Sequence, residues 1–299
     1  MISIVIPTFN NSVKIQNAIN SLLNQNISDL EIVIIDDSSN DKTQQILKSF
    51  HSKDIKYYKN DENIGTTLSR IKGVKLCSKQ YIGFLDDDDI VLNNVLNKKI
   101  NLIKSKNYDF IFCNYIVNNS VENSITTKKL NIYEKNFKKH ILLSPGPFLQ
   151  CCLFKKDFIL SSLACFDKNA EPSEDWDFFI SISKKPLKIK HLNLVGFQWN
   201  FSQKSQSYNY KNEMLALQYI TKKHFYYMKK HSKKGLSLQY RKIGSMLYSF
   251  KKYRRAKKYF KYSFCLRWYS IKNIILFPIQ YLPNTPYHFL MTKYVKKIV

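Results

Sequence analysis

The feature that most constrains this chain is the alternation, over its first 116 residues, of short β-rich apolar runs with helical patterns. The apolar runs are 3–6, 32–35, 55–58, 81–85 and 110–115. Between them, 13–23, 43–50, 66–76 and 93–103 carry apolar residues three and four apart. That spacing gathers side chains on one face of a helix, whereas a continuous apolar run suits a strand covered on both sides. The alternation predicts βαβ units and an α/β fold, a mostly parallel sheet flanked by helices. Ligands of such sheets bind beyond the carboxyl ends of the strands. Three polar clusters are expected at that edge: Pro7-Thr8-Phe9-Asn10, Asp36-Asp37-Ser38-Ser39 and Asp86-Asp87-Asp88-Asp89.

The last cluster follows the apolar run 81–85 directly, and four adjacent carboxylates repel one another. Mg2+ or Mn2+ is a natural counter-charge, because these hard cations prefer carboxylate oxygen and leave positions open for phosphate. Alone, the run reads as a solvated acidic loop. Its company at one sheet edge favours a nucleotide site. The chain contains neither GxGxxG nor GxxxxGK[ST], the loops that otherwise cradle phosphates. A divalent metal on the acidic run is therefore the expected cofactor.

Five segments occur in an order that resembles the family 2 glycosyltransferases of GT-A (Rossmann-like) fold. They are Ser3-Ile4-Val5-Ile6-Pro7-Thr8-Phe9-Asn10, Ile34-Ile35-Asp36-Asp37-Ser38-Ser39, Asn63-Ile64-Gly65, Phe84-Leu85-Asp86-Asp87-Asp88-Asp89 and Glu174-Asp175-Trp176-Asp177. Each is weak alone; the ordered set is specific, and the resemblance covers about residues 1–200. It implies inverting transfer of a sugar from a nucleoside diphosphate donor, UDP- or dTDP-linked, to an acceptor hydroxyl. By position, Pro7, Thr8 and Asn10 would line the nucleotide pocket. Asp37, with Asp36 nearby, would hydrogen-bond the base, since a carboxylate suits a pyrimidine N–H donor. Gly65 and Arg70 would approach the nucleotide. Asp86 and Asp88 match the DxD pattern: Asp88 for direct metal contact, Asp86 for the ribose or metal, with Asp87 and Asp89 in support. Asp175 would be the base that takes the acceptor proton, with Glu174 the alternative. Without the upstream motifs, these acids would read as complements to a helix dipole. Trp176 reads as core, with an acceptor-facing ring as the other option. Many GT-A enzymes add a late histidine to the metal; residues 196–203 here contain none, and His191 lies upstream.

From residue 201 onward the chain carries 22 Lys and Arg against one acid, Glu213, within a formal net charge of +26. A soft boundary near residue 205 separates the expected catalytic domain, 1–205, from a helical, strongly basic C-terminal region, 206–299. Gly244-Ser245-Met246-Leu247-Tyr248 and Ala256-Lys257-Lys258-Tyr259-Phe260 resemble one tetratricopeptide-like hairpin, too little for a solenoid. Basic residues interleaved with rings suit an anionic membrane surface. Nucleic acid is the competing partner and is disfavoured, because the rings sit at helical spacing as core residues do. No apolar run reaches the roughly 20 residues of a membrane span; 274–282 is short and broken by Pro278. Six cysteines without metal-ligand spacing, and no secretory signal before them, point to reduced thiols in a cytoplasmic protein. The expected partners are a nucleotide-sugar donor and a glycan or lipid-linked glycan acceptor at the inner face of the plasma membrane. A non-catalytic nucleotide-sugar or polyanion-binding protein keeping the GT-A shell is the alternative.

Overall fold

A computed structural model describes residues 1–203, 205 and 208–276. Most of the short apolar stretch 274–282 lies outside them. The chain forms two compact units. The first comprises Met1–Phe137, Gly146–Lys168 and Glu174–Ser205; the second comprises Lys138–Pro145, Asn169–Ser173 and the chain from Gln206 onward.

The first unit is built on one sheet. Its strands are β1 (Ile2–Thr8), β2 (Leu30–Asp36), β3 (Ile55–Lys59), β4 (Tyr81–Phe84), β5 (Ile90–Val91), β6 (Phe110–Asn119), β7 (Ser124–Lys128), β8 (Cys152–Lys155) and β9 (Ile189–Phe201). They lie in the order β3-β2-β1-β4-β8-β6-β9-β5, with β7 on β6. β1 is parallel to β2 and β4, β2 to β3, and β6 to β9; β8 runs against β4 and β6. The unit's helices are α1 (Ile15–Leu23), α2 (Thr43–Ser49), α3 (Thr66–Leu76), α4 (Val95–Ser105), the short α5 (Asn131–Lys135) and α7 (Lys156–Ser161), and α8 (Glu174–Ile182); the short α6 (Phe137–Ile141) belongs, after Phe137, to the second unit. The expected α/β architecture is present, and the apolar runs form its strands.

β1 and β2 are buried along their whole lengths, as strands covered on both faces must be. On one face Ile2, Ile4, Ile6, Ile32 and Ile34 share a core with Ile15, Ile19 and Leu22 of α1 and Leu96, Ile100 and Ile103 of α4. Each such side chain contributes about 1.5–3 kcal/mol, and this packing fixes where β1, β2 and β4 end. Residues 118–131, polar and without a clear period, extend β6 to Asn119 and add the hairpin partner β7. Their polarity reflects position: β7 runs from half-buried Ser124 to exposed residues, so alternation with a buried face never appears. The long β9 was not foreseen, because its residues alternate too loosely.

The second unit holds α9 (Tyr210–Lys223), α10 (Phe225–His231), α11 (Lys233–Ser249), α12 (Tyr253–Leu266) and α13 (Ile271–Leu276). α11 and α12 form the expected hairpin. Gly244 lets Phe260 lie against α11, since a Cβ there would come within 2.7 Å of the ring. Among the described residues, no helix is long and apolar enough to cross a membrane.

Candidate active site

The ends of β1 and β2 are tied together. The Asp37 N–H donates to Thr8 O at 2.8 Å. Asn10, at φ 51°, donates its N–H to Ser39 Oγ at 2.9 Å and accepts the Asn40 N–H on Oδ1 at 2.9 Å. Asp36 accepts from Ser39 N at 2.8 Å and Tyr57 OH at 2.7 Å; burial, then this carboxylate, pushes the Tyr57 phenol well up. Asp37 accepts from Asn60 Nδ2 at 2.8 Å, Ile64 N at 2.9 Å and Gly65 N at 2.8 Å. Gly65 stands at φ 93°, a conformation open to glycine and strained for other residues. Asp37 thus holds the Asn63-Ile64-Gly65 turn that opens α3. Pro7 lies buried within β1.

Beyond β4, the four acids diverge in their partners. Asp87 accepts from Thr8 Oγ1 at 2.6 Å and Asn11 Nδ2 at 2.8 Å. Burial pushes its carboxyl up to about 7 even against those two hydrogen bonds. Asp88 faces Lys14 Nζ at 3.4 Å; burial and then Asp86 raise it. Asp89 accepts Asn200 N at 2.9 Å, while its Oδ2 is buried without a hydrogen bond. Burial, then Asp86 and Asp88, raise it far above the carboxylate range. The Asn200 side chain also donates to Asp88 O at 2.7 Å, pinning the acidic run to β9.

Asp86 leads to the third group. It accepts from Arg70 Nη2 at 2.7 Å and from Gln150 Nε2. Arg70 Nη1 donates to Glu174 Oε1 at 2.6 Å and lies 3.6 Å from Asp175 Oδ1. Its side chain is 3% exposed. Burial would lower the guanidinium, but Asp86, Asp175 and Glu174 overcome that and hold its charge firmly. Asp175 Oδ2 accepts Leu149 N at 2.9 Å, and Oδ1 makes no hydrogen bond. Burial pushes the Asp175 carboxyl up to about 7; Arg70 opposes the shift and Glu174 adds to it. A buried carboxyl poised near neutrality, with one oxygen uncommitted, can take or give a proton.

The structure therefore joins the expected residues through two linkages. Thr8 meets Asp87, and Arg70 connects Asp86 with Glu174 and Asp175. Asp36, Asp37, Asn10 and Gly65 shape the adjoining turns. Leu149 and Gln150 were missed as named contacts: they lie in a stretch without a motif, marked only by the turn signal at Ser144-Pro145-Gly146-Pro147. Asn200 and Lys14 gave no signal beyond being polar. Trp176 is 2% exposed and belongs to the core. Partly exposed rings instead come from Phe148 and Trp199, edge to face at 5.2 Å. His191 Nε2 lies 2.8 Å from Asn114 Oδ1 within the sheet. Among the described residues, no three His, Cys, Asp or Glu side chains cluster as a cation site. The cysteines are all free.

The chain is similar to known proteins. The family described as Glycosyl transferase family 2 matches residues 3–159. A Mycoplasma pneumoniae protein described as an uncharacterized glycosyltransferase is 30% identical over 69% of this chain and 70% of its own length. The poly(ribitol-phosphate) β-N-acetylglucosaminyltransferase TarP of Staphylococcus aureus is 30% identical over 63% of this chain and 60% of its own length. The crystal structure of S. aureus TarS residues 1–349 with UDP-GlcNAc aligns with TM-score 0.63 at 14% identity, covering 99% of this chain and 90% of that one, a likeness of fold. The chain belongs to glycosyltransferase family 2, has the GT-A fold, and is a glycosyltransferase.

Proposed function

We propose that the protein is an inverting glycosyltransferase that moves a sugar from a UDP- or dTDP-linked donor to a hydroxyl of a bacterial surface glycan, working at the cytoplasmic face of the membrane. The observation that carries this reading is the Arg70 bridge, which joins the acid at the end of β4 to Asp175. An inverting reaction needs a base on the side of the sugar opposite the leaving diphosphate. In the proposed step, Asp175 Oδ1 takes the acceptor proton as the acceptor oxygen bonds to the anomeric carbon and the bond to the diphosphate breaks. Arg70 keeps Asp175 and Glu174 paired with positive charge. The backbone of Pro7, Thr8 and Asn10 and the turn held by Asp36, Asp37 and Gly65 would receive the nucleoside. The Phe148 and Trp199 rings offer an apolar face to an acceptor sugar. The glycan class is supported by relatives such as TarP, described as a poly(ribitol-phosphate) β-N-acetylglucosaminyltransferase.

A divalent metal fits the donor set. Mg2+ commonly binds one or two carboxylates together with substrate phosphates, without a protein cage. Asp88, with about a quarter of its side chain exposed and Lys14 no nearer than 3.4 Å, would be the direct ligand. Asp86, with both oxygens engaged by Arg70 and Gln150, would support it. When bound, the metal would supply Lewis-acid stabilisation of the diphosphate.

Calorimetric titration of UDP, dTDP and GDP, with and without Mn2+, into wild type and Asp88→Ala tests the donor site. Metal-dependent binding of a pyrimidine nucleotide, lost in the variant, is expected. No binding of any nucleotide under either condition would sink the assignment.

A further inference from the structure

The second unit carries charge that its own residues leave unbalanced. Its only acid from residue 206 onward, Glu213, is already engaged by Lys242 at 3.1 Å and Ser173 at 2.9 Å. α12 shows where the excess goes. Ala256, Phe260 and Ser263 are its buried side. Arg254, Lys257, Lys258 and Lys261 are exposed and recur at spacings of three and four, which places them on the opposite face.

The helix runs into an apolar tip. Trp268 is 67% exposed, Tyr269 61%, Ile271 73% and Ile274 50%. Arg267 lies over the Tyr269 ring at 5.2 Å. Large apolar side chains left open in this density, next to a basic stripe, mark an interaction site and are not core that failed to pack.

We infer that the outer face of α12 and the tip from Trp268 to Ile274 form a docking surface for an anionic phospholipid bilayer. The charge sign selects the lipid: cationic side chains on one helix face are drawn to anionic headgroups, a pull that fades within a Debye length of the surface. The tip supplies what headgroup attraction lacks. Trp and Tyr rings settle at the level of the headgroups, and isoleucines reach the acyl boundary. A nucleic acid would be met by several rings lying along the basic stripe as stacking platforms; on α12 Tyr262 is half exposed, but Trp268, Tyr269, Ile271 and Ile274 gather beyond the helix end. The inference rests on the reading of a transferase that works at a membrane, but its test uses no sugar transfer.

The test is sedimentation of the full chain with vesicles of phosphatidylglycerol and phosphatidylcholine in equal parts, and with phosphatidylcholine alone. Wild type should bind the anionic vesicles and leave the zwitterionic ones. Lys257→Glu, Lys258→Glu and Lys261→Glu together should weaken binding by at least about tenfold, since each basic residue near the surface adds to the attraction. Trp268→Ala with Ile271→Ala should keep binding at low salt and lose what persists at high salt. UDP titration and the unfolding midpoint of each variant report whether the first unit and the fold are intact, so failure here is separable from failure of the donor site. The proposal is overturned by equal sedimentation of the charge variant and wild type, or by no sedimentation of wild type. It is equally overturned by binding of a single-stranded oligonucleotide in place of vesicles.

Discussion

Asp36 and Asp37 are as buried as Asp89 and Asp175, yet the protein treats the two pairs in opposite ways. Asp36 receives two hydrogen bonds and Asp37 three, four of them from neighbouring turns and one from a tyrosine. Asp89 and Asp175 each receive one backbone N–H and keep one buried oxygen without a hydrogen bond. A carboxylate surrounded by donors is solvated by the protein and can serve as a fixed strut. One starved of donors is costly as a charge, so burial raises both carboxyls, that of Asp175 to about 7. The first pair shapes the turns at the strand ends; in the proposed mechanism Asp175, of the second pair, is the base.

The largest expected effect comes from removing the labile group. Asp175→Asn should lower the transfer rate by about 10²–10⁴-fold, the usual contribution of a positioned general base, while UDP titration stays close to wild type. The pH profile sharpens this. With its carboxyl at about 7, the base is active when deprotonated, so wild-type rate should rise roughly tenfold per pH unit below about 7 and level off above. The stability sign is opposite. A carboxyl raised in the folded state stabilises while protonated; that contribution is complete below the ordinary aspartate value and lost as pH rises through about 7. Above pH 7 the variant should therefore unfold at the same temperature as wild type or higher. A flat rate profile from pH 5 to 8 would remove Asp175 from the role of base.

Arg70 is what makes the starved group tolerable. Arg70→Ala leaves the buried Glu174 and Asp175, and the partly exposed Asp86, without their shared cation, and breaking a buried pair typically costs about 3–5 kcal/mol. Urea unfolding measures it. Arg70→Lys should recover only part, because a lysine cannot fork between Asp86 and Glu174 as the guanidinium does. Full stability in the alanine variant would show that the acids are protonated at rest and need no partner.

How far this arrangement was legible differs between its parts. Strands β1 to β4 and β6 and the placement of the acids at their ends follow from local patterns, apolar period and adjacent charges, whereas the candidate base comes from the family resemblance. The same resemblance implies a place for Arg70 near the nucleotide. The structure gives it partners in Asp86, 16 residues away, and Glu174, 104 away, which no local pattern encodes. Gln150 and Leu149 reach the site through one side-chain amide and one backbone N–H, and any residue but proline could have supplied the latter. The β6–β7 hairpin was hidden because a solvent-facing edge needs no alternation. Packing decides these features, and the pattern at any one position carries little of it.

The well-solvated pair should respond more mildly. Asp37→Asn exchanges one carboxylate oxygen for an N–H donor that cannot accept from Ile64 or Gly65. Losing one such bond to a charged acceptor costs about 1–3 kcal/mol. The turn into α3 should loosen, which hydrogen exchange at Ile64 and Gly65 would report. If Asp37→Asn instead abolished transfer with stability unchanged, the strut would prove to be part of the chemistry, and the contrast between the pairs would fail.

The smallest effect belongs to Lys14, and it separates resting structure from cation binding. Its ammonium lies 3.4 Å from Asp88, and its side chain is 40% exposed. Solvent screening leaves such a pair worth under about 1 kcal/mol, so Lys14→Ala should barely move the unfolding midpoint. The same ammonium is a positive charge beside the carboxylate assigned to the metal. At about 4 Å in a water-like dielectric, two unit charges interact by about 1 kcal/mol, so removing it should tighten Mn2+ binding by about fivefold. Mn2+ titration of Lys14→Ala at fixed UDP decides the matter. Tighter binding places the cation on Asp88. Unchanged metal affinity with weaker UDP would make Lys14 a phosphate contact and move the cation away from Asp88.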